Sequence, residues 1–203
     1  SFQEAVDLCD QATEINADYA LAWSTKGDAL TGLGRFEEAV TAYDRALEIN
    51  PETAVTWFNK GVALSNMGRF EEAVRAYNES LQINPDMAET WYNKGLTLFG
   101  LGRYEQAISA YDEALQINPD LAEAWSDKGM CLGILGKYNE SLEALDHAIS
   151  INPQLAEAWF NKGMALFYQG KYEEAVSAMD EVIAINPELE QARYSKALAL
   201  NQS

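Results

Sequence analysis

Histidine occurs once in this 203-residue chain, as His147, and cysteine twice, as Cys9 and Cys131. A Cys/His metal cluster and a disulfide framework both need more of these side chains than that. Basic residues are also scarce: 14 Lys and Arg stand against 32 Asp and Glu, a net charge of −18. Nucleic acid and anionic membrane surfaces are held by basic footprints, so neither is an expected partner. No stretch reaches the roughly 18 unbroken apolar residues of a membrane-crossing helix, and no secretory leader pattern is present. Unpaired thiols fit a reducing compartment, and the expected location is cytoplasmic. Ser1 in place of an initiator Met reads as a fragment or a processed chain.

What the sequence has is repetition. TWYNKG at Thr90 to Gly95 recurs as AWSTKG at Ala22, TWFNKG at Thr56, AWSDKG at Ala124 and AWFNKG at Ala158, always at the same spacing. Self-similarity at a fixed period overrides local readings and points to a stack of identical supersecondary units. Full copies span residues 20–53, 54–87, 88–121, 122–155 and 156–189. Residues 1–19 read as the second helix of an incomplete preceding copy, and 190–203 as a single terminal helix or cap.

Each copy predicts two helices. Trp91, Gly95 and Leu98 fall at i, i+4 and i+7 and share one face, where the Gly lets a neighbouring backbone approach. Gly102 is placed to end that helix in the left-handed conformation. The second helix opens with acids in its first turn, where the helix dipole favours them. Tyr104, Ala107, Ile108, Tyr111, Ala114 and Leu115 then form its buried stripe. INP closes the second helix at Ile49, Ile83, Ile117, Ile151 and Ile185, because proline cannot continue it.

This pattern resembles the tetratricopeptide repeat, which reads W-x2-L-G-x2-Y, A-x3-F and P with a period of about 34 residues. Trp91, Gly95, Ala107, Tyr111 and Pro119 of copy three stand in its register, and the resemblance covers the whole chain. Departures are packing substitutions: Lys for the Leu before the Gly, Leu98 for a Tyr, and Leu145 and Met179 for the second-helix aromatic. The resemblance implies an all-α, right-handed superhelical solenoid of antiparallel helix pairs whose concave surface is lined by first helices. It also implies binding of peptides or partner proteins without chemistry of its own, so no enzyme activity, cofactor or metal is expected.

Local motifs that suggest chemistry recur and so lose that meaning. Lys94 belongs to the series Lys26, Lys60, Lys94, Lys128, Lys162 and Lys196, each expected to lay its stem along the seam between units with the ammonium near acids of a neighbouring helix. LGILGKY at Leu132 has the GK of a phosphate loop but Tyr138 instead of Ser or Thr, and its G-[RK]-[FY] recurs as a turn. Glu37-Glu38, Glu71-Glu72 and Glu173-Glu174 recur at helix starts. His147 falls on a polar face with no second ligand at metal spacing.

The binding surface implied by the resemblance comprises, on each first helix, the residues one, two, five and eight after the Trp. These are Phe58, Asn59 and Val62 in copy two, Tyr92, Asn93, Leu96 and Phe99 in copy three, Asp127 and Met130 in copy four, and Phe160, Asn161, Met164 and Phe167 in copy five, with Tyr194 beyond. Glu89, with Glu123 and Glu157, adds negative charge. This second apolar stripe is expected to form a large exposed patch, the mark of a binding surface. A carboxylate clamp of Lys, Arg and Asn, used by some members, is excluded because no base accompanies the asparagines. The expected partner is a protein or peptide, basic and partly apolar, held by Asn59, Asn93 and Asn161. The alternative is a structural spacer or self-assembling array. Phe2, Ala5, Cys9 and Ala12 keep the second-helix spacing, so an open apolar N-terminal end is expected to meet its like.

Overall fold

The computed structural model describes residues 1–202, and among them every regular element is an α-helix. In chain order these are α1 (Phe2–Ile15), α2 (Ala20–Gly32), α3 (Phe36–Ile49), α4 (Ala54–Asn66), α5 (Phe70–Ile83), α6 (Ala88–Gly100), α7 (Tyr104–Ile117), α8 (Ala122–Ile134), α9 (Tyr138–Ile151), α10 (Ala156–Tyr168), α11 (Tyr172–Ile185) and α12 (Glu190–Leu200). They are packed as sequential antiparallel pairs. Among the described residues no helix is long and apolar enough to cross a membrane. The chain forms two compact units, one from Ser1 to Leu101 holding α1–α6 and one from Gly102 onward holding α7–α12.

The turn inside each pair is set by one glycine. Gly34, Gly68, Gly102, Gly136 and Gly170 have φ of 71–78°, the left-handed region an L side chain resists. With Gly34 so placed, the Arg35 N–H reaches back to the Leu30 carbonyl at 2.9 Å and satisfies a helix-end acceptor. The second helix then starts at once, and Arg35 clamps Glu38 through two hydrogen bonds of 2.7 and 2.5 Å. That bond draws the Glu38 carboxyl below its ordinary value. Arg69 and Glu72 repeat the arrangement.

At the other turn the asparagine of INP does what proline alone does not. Asn50, in extended conformation, accepts from the Glu52 N–H through Oδ1 at 3.3 Å, and Asn84 and Asn118 do the same for Asp86 and Asp120. The Trp of the next helix caps the turn from outside: Trp57 Nε1 donates to the Pro51 carbonyl at 2.9 Å, Trp125 to that of Pro119 and Trp159 to that of Pro153. The tryptophans are therefore half-buried. The residue before each Trp reaches the centre, with Ala22, Thr56, Thr90, Ala124 and Ala158 all buried, as is Ala192 at the matching position of α12.

The glycine after the lysine makes room for a side chain, and in the later copies a neighbouring backbone comes close as well, with the Ser141 carbonyl 3.2 Å from a Cβ on Gly129 and the Ala175 carbonyl 3.4 Å from one on Gly163. A Cβ on Gly27 would stand 2.4 Å from Tyr43 Cε1, and one on Gly61 2.5 Å from Tyr77 Cε1. In the later copies the same space is taken by Leu145 against Gly129 and by Met179 against Gly163. Burial pushes the Tyr43 and Tyr77 hydroxyls far above the usual phenol range, so both stay neutral.

Candidate functional site

Lys60 Nζ lies 2.5 Å from Asp44 Oδ1 on the preceding helix and 4.9 Å from the centroid of the Trp57 ring. Lys26 with Asp10, Lys128 with Asp112, Lys162 with Asp146 and Lys196 with Asp180 form the same bridge. Lys94 sits over the Trp91 ring at 4.5 Å. The ammonium groups are thus held against rings and acids at the seams between helix pairs. His147 is exposed and stacks on Trp125 with centroids 4.7 Å apart. Among the described residues no group of His, Cys, Asp and Glu is arranged to hold a metal. Cys9 and Cys131 are free and buried, and burial pushes the Cys131 thiol up to about 12.

In the first unit, Phe58 and Val62 are half-buried against the core of α1 to α5, and the Phe58 ring lies 6.1 Å from that of Tyr77. Asn59 donates to Asp28 Oδ1 at 2.8 Å, and Asp28 also accepts from the Tyr43 hydroxyl at 2.9 Å. Asn93 donates to the Glu89 carbonyl at 2.9 Å on its own helix. The asparagines are therefore oriented by the protein before any ligand arrives. Tyr92 and Phe99 are half-buried, and Leu96 and Glu89 are exposed.

In the second unit, Phe160 and Met164 pack on Met179, Val182 and Ala192, while Phe167 packs on Leu166, Ala175, Ala178 and Ala199. Tyr194 is exposed on α12. The expected large open stripe is thus corrected. Phe160, Met164 and Phe167 turn toward α11 and α12, so they form half-covered walls of recesses, whereas Leu96 and Tyr194 stay exposed.

One such recess brings predicted residues together. Asp127, Met130, Phe160 and Asn161 line a hollow of about 690 Å³ with Glu157, Leu155 and Leu189. Its size lies within the usual range for binding sites, its walls are mostly apolar, and its charged lining residues are acids. Leu155 and Leu189 come from the turns before α10 and α12, and sequence reasoning missed them. An aliphatic residue recurring at the repeat spacing, as Leu121, Leu155 and Leu189, is the signal that was available.

Models of the tetratricopeptide repeat match residues 18–86, 88–121, 110–143 and 156–189. The crystal structure of YrrB, a TPR protein with an unusual peptide-binding site, aligns with a TM-score of 0.82 at 25% identity, covering 93% of this chain and 97% of that one. MamA from Desulfovibrio magneticus RS-1 aligns with a TM-score of 0.79 at 18% identity over 84% of this chain and 96% of its own. A chain of the APC/C hetero-tetramer Cut9-Hcn1 aligns with a TM-score of 0.75 at 18% identity over 98% of this chain and 40% of its own. Among curated proteins no relative matches the chain.

Proposed function

Because the chain belongs to the tetratricopeptide repeat family, which mediates protein and peptide binding, we propose that it is an interaction module taking a basic, partly apolar peptide against its first helices. The observation that supports this most directly is the recess of Asp127, Met130, Phe160 and Asn161, where half-buried apolar walls meet the Asp127 and Glu157 carboxylates. Lys128 and Lys162 are engaged at the seams, and among the described residues no base lines the recess to hold an acidic ligand. In this reading Asn161 bonds the backbone of an extended chain, and Asn59 and Asn93 do so in the first unit. YrrB, similar over nearly the whole length, is itself a TPR protein with a peptide-binding site.

The test is a peptide array probed with the whole chain, followed by calorimetry of the retained peptides. Retained sequences should be enriched in Lys, Arg and apolar residues. Phe160→Ala should weaken them by about 2 kcal/mol or more, the threshold for an anchoring residue. Lys162→Met should leave them unchanged. Retention of acidic peptides, or equal losses from both variants, would overturn the reading. A second reading, assembly with another copy, is supported by Leu8, which is 59% exposed where Ala42 and Ala178 of other second helices are buried. A mass in solution that does not change with concentration would dispose of it.

A further inference from the structure

We propose that repeat four carries a pocket for an aromatic side chain standing next to a basic residue in an extended peptide, a reading that deepens and rests on the function proposed above. Two positions of the repeat face each other inside the helix pair. In repeat one they are Thr31 and Tyr43, whose hydroxyls are 3.2 Å apart. Through the five copies the first position reads Thr31, Ser65, Phe99, Gly133 and Phe167, and the second reads Tyr43, Tyr77, Tyr111, Leu145 and Met179. Every copy but the fourth keeps an aromatic ring at one position or the other. Repeat four, with Gly133 and Leu145, has neither.

Leu145 fills the part of this space beside Gly129, and the part beside Gly133 is left open. A cavity of about 330 Å³ lies among α8, α9 and α10, lined by Gly129, Met130 and Gly133 of α8, Ser141 of α9, and Met164 and Tyr168 of α10. A Cβ added at Gly133 would meet only Ser141 Oγ, at 3.4 Å, an ordinary contact. Apolar cavities of about 150 Å³ accept benzene, so a phenol or indole ring fits in this one. Ser141 donates its hydroxyl to the Gly129 carbonyl at 2.7 Å, so that hydroxyl needs no hydrogen bond from a guest. The methionines adapt to a ring and favour contact with it. Tyr138, stacked at 6.0 Å on Tyr168, extends the aromatic wall.

Charge supplies the neighbour. The cavity shares Met130 and Asn161 with the recess that carries Asp127 and Glu157, and among the described residues no Lys or Arg lines either space. A chain whose ring enters the cavity therefore places its adjacent residue beside carboxylates. A Lys or Arg fits there and an acid does not.

The test uses the full chain labelled with 13C at its methionine methyls, titrated with N-acetyl-Lys-Trp-amide and N-acetyl-Glu-Trp-amide. The Met130 and Met164 methyl signals should shift saturably while those of Met67 and Met87 stay in place. The Lys peptide should bind at least about threefold more tightly at low salt. Gly133→Phe, which restores the ring of repeats three and five, should fold and lose the shifts. Tyr168→Asn, matching Asn66 of repeat two, should weaken binding at least about threefold and serves as the control if Gly133→Phe does not fold. No saturable shift at Met130 and Met164, equal affinity for the two peptides, or binding unaltered by these variants would overturn the pocket. Array peptides that depend on Phe160 but ignore Gly133→Phe would sink this inference and leave the proposed function standing. Shifts from the Lys-Trp peptide without any retained array peptide would do the reverse.

Discussion

The Tyr43 ring fills the space beside Gly27, so that a Cβ there would stand 2.4 Å from the ring edge. An aromatic ring gripped by two helices cannot move aside as a flexible chain end can. Gly27→Ala and Gly61→Ala should each lower stability by about 1–3 kcal/mol, overpacking outweighing the helix propensity of Ala. At Gly163 the obstacle is Met179 Cε, the end of a flexible chain. Gly163→Ala should stay within about 1 kcal/mol of the parent, measured by urea denaturation of the three variants.

Thr90 is fully buried and its hydroxyl has no hydrogen-bond partner among the described residues, whereas Ala22, Ala124, Ala158 and Ala192 hold the same position elsewhere. Thr90→Val keeps the shape and removes the unsatisfied group, whose burial costs about 1–3 kcal/mol. The variant should be more stable by up to that amount, and a loss of stability in the same denaturation assay would contradict it.

Cys131 is neutral when folded because burial raises its thiol from 9.0 to about 12. A group whose pKa is raised in the folded state contributes stability below its unfolded pKa and loses it as pH climbs toward the folded value. Stability should therefore fall between pH 9 and 12 by up to about 1.4 kcal/mol per pH unit from this group. Cys131→Ala, matching Ala29, Ala63 and Ala165, should show a shallower alkaline decline; parallel declines would rule this out.

Net charge and ion pairs respond to salt in opposite directions. Screening weakens the Lys–Asp bridges, but each exposed pair contributes only about 0–1 kcal/mol. Repulsion among 32 acids opposed by 14 bases acts over the whole array and is screened over about 10 Å at 0.1 M salt. The melting temperature should rise between low and moderate NaCl, and a fall would mean that the bridges dominate.

The repeat, its helices and the turn glycines were legible because each is a local signal copied from unit to unit: Trp91 predicts Trp125, and the left-handed turn follows from Gly102 itself. The seam role of the lysines was also readable, since Asp10, Asp44, Asp112, Asp146 and Asp180 precede Lys26, Lys60, Lys128, Lys162 and Lys196 at one constant spacing. Side-chain direction was not. Periodicity put Phe58 and Phe160 on a second stripe, but how far that stripe is covered depends on the neighbouring helices, which no single helix encodes. Asn59 bonding Asp28 joins positions far apart in the chain, and the Gly133 cavity requires knowing which positions of a helix pair face each other.

Each Lys–Asp bridge crosses from the second helix of one repeat to the first helix of the next, while the Trp-to-carbonyl bond stays within a turn. The coupling between repeats therefore carries ion pairs in addition to the apolar packing that runs on from one repeat to the next. In a linear stack of this kind, cooperativity is set by the couplings and not by the stability of the individual units. Replacing the bridging aspartates by asparagine should leave the helices intact while loosening the coupling between neighbouring repeats. Unfolding would then pass from a concerted transition to a progressive unzipping from the termini.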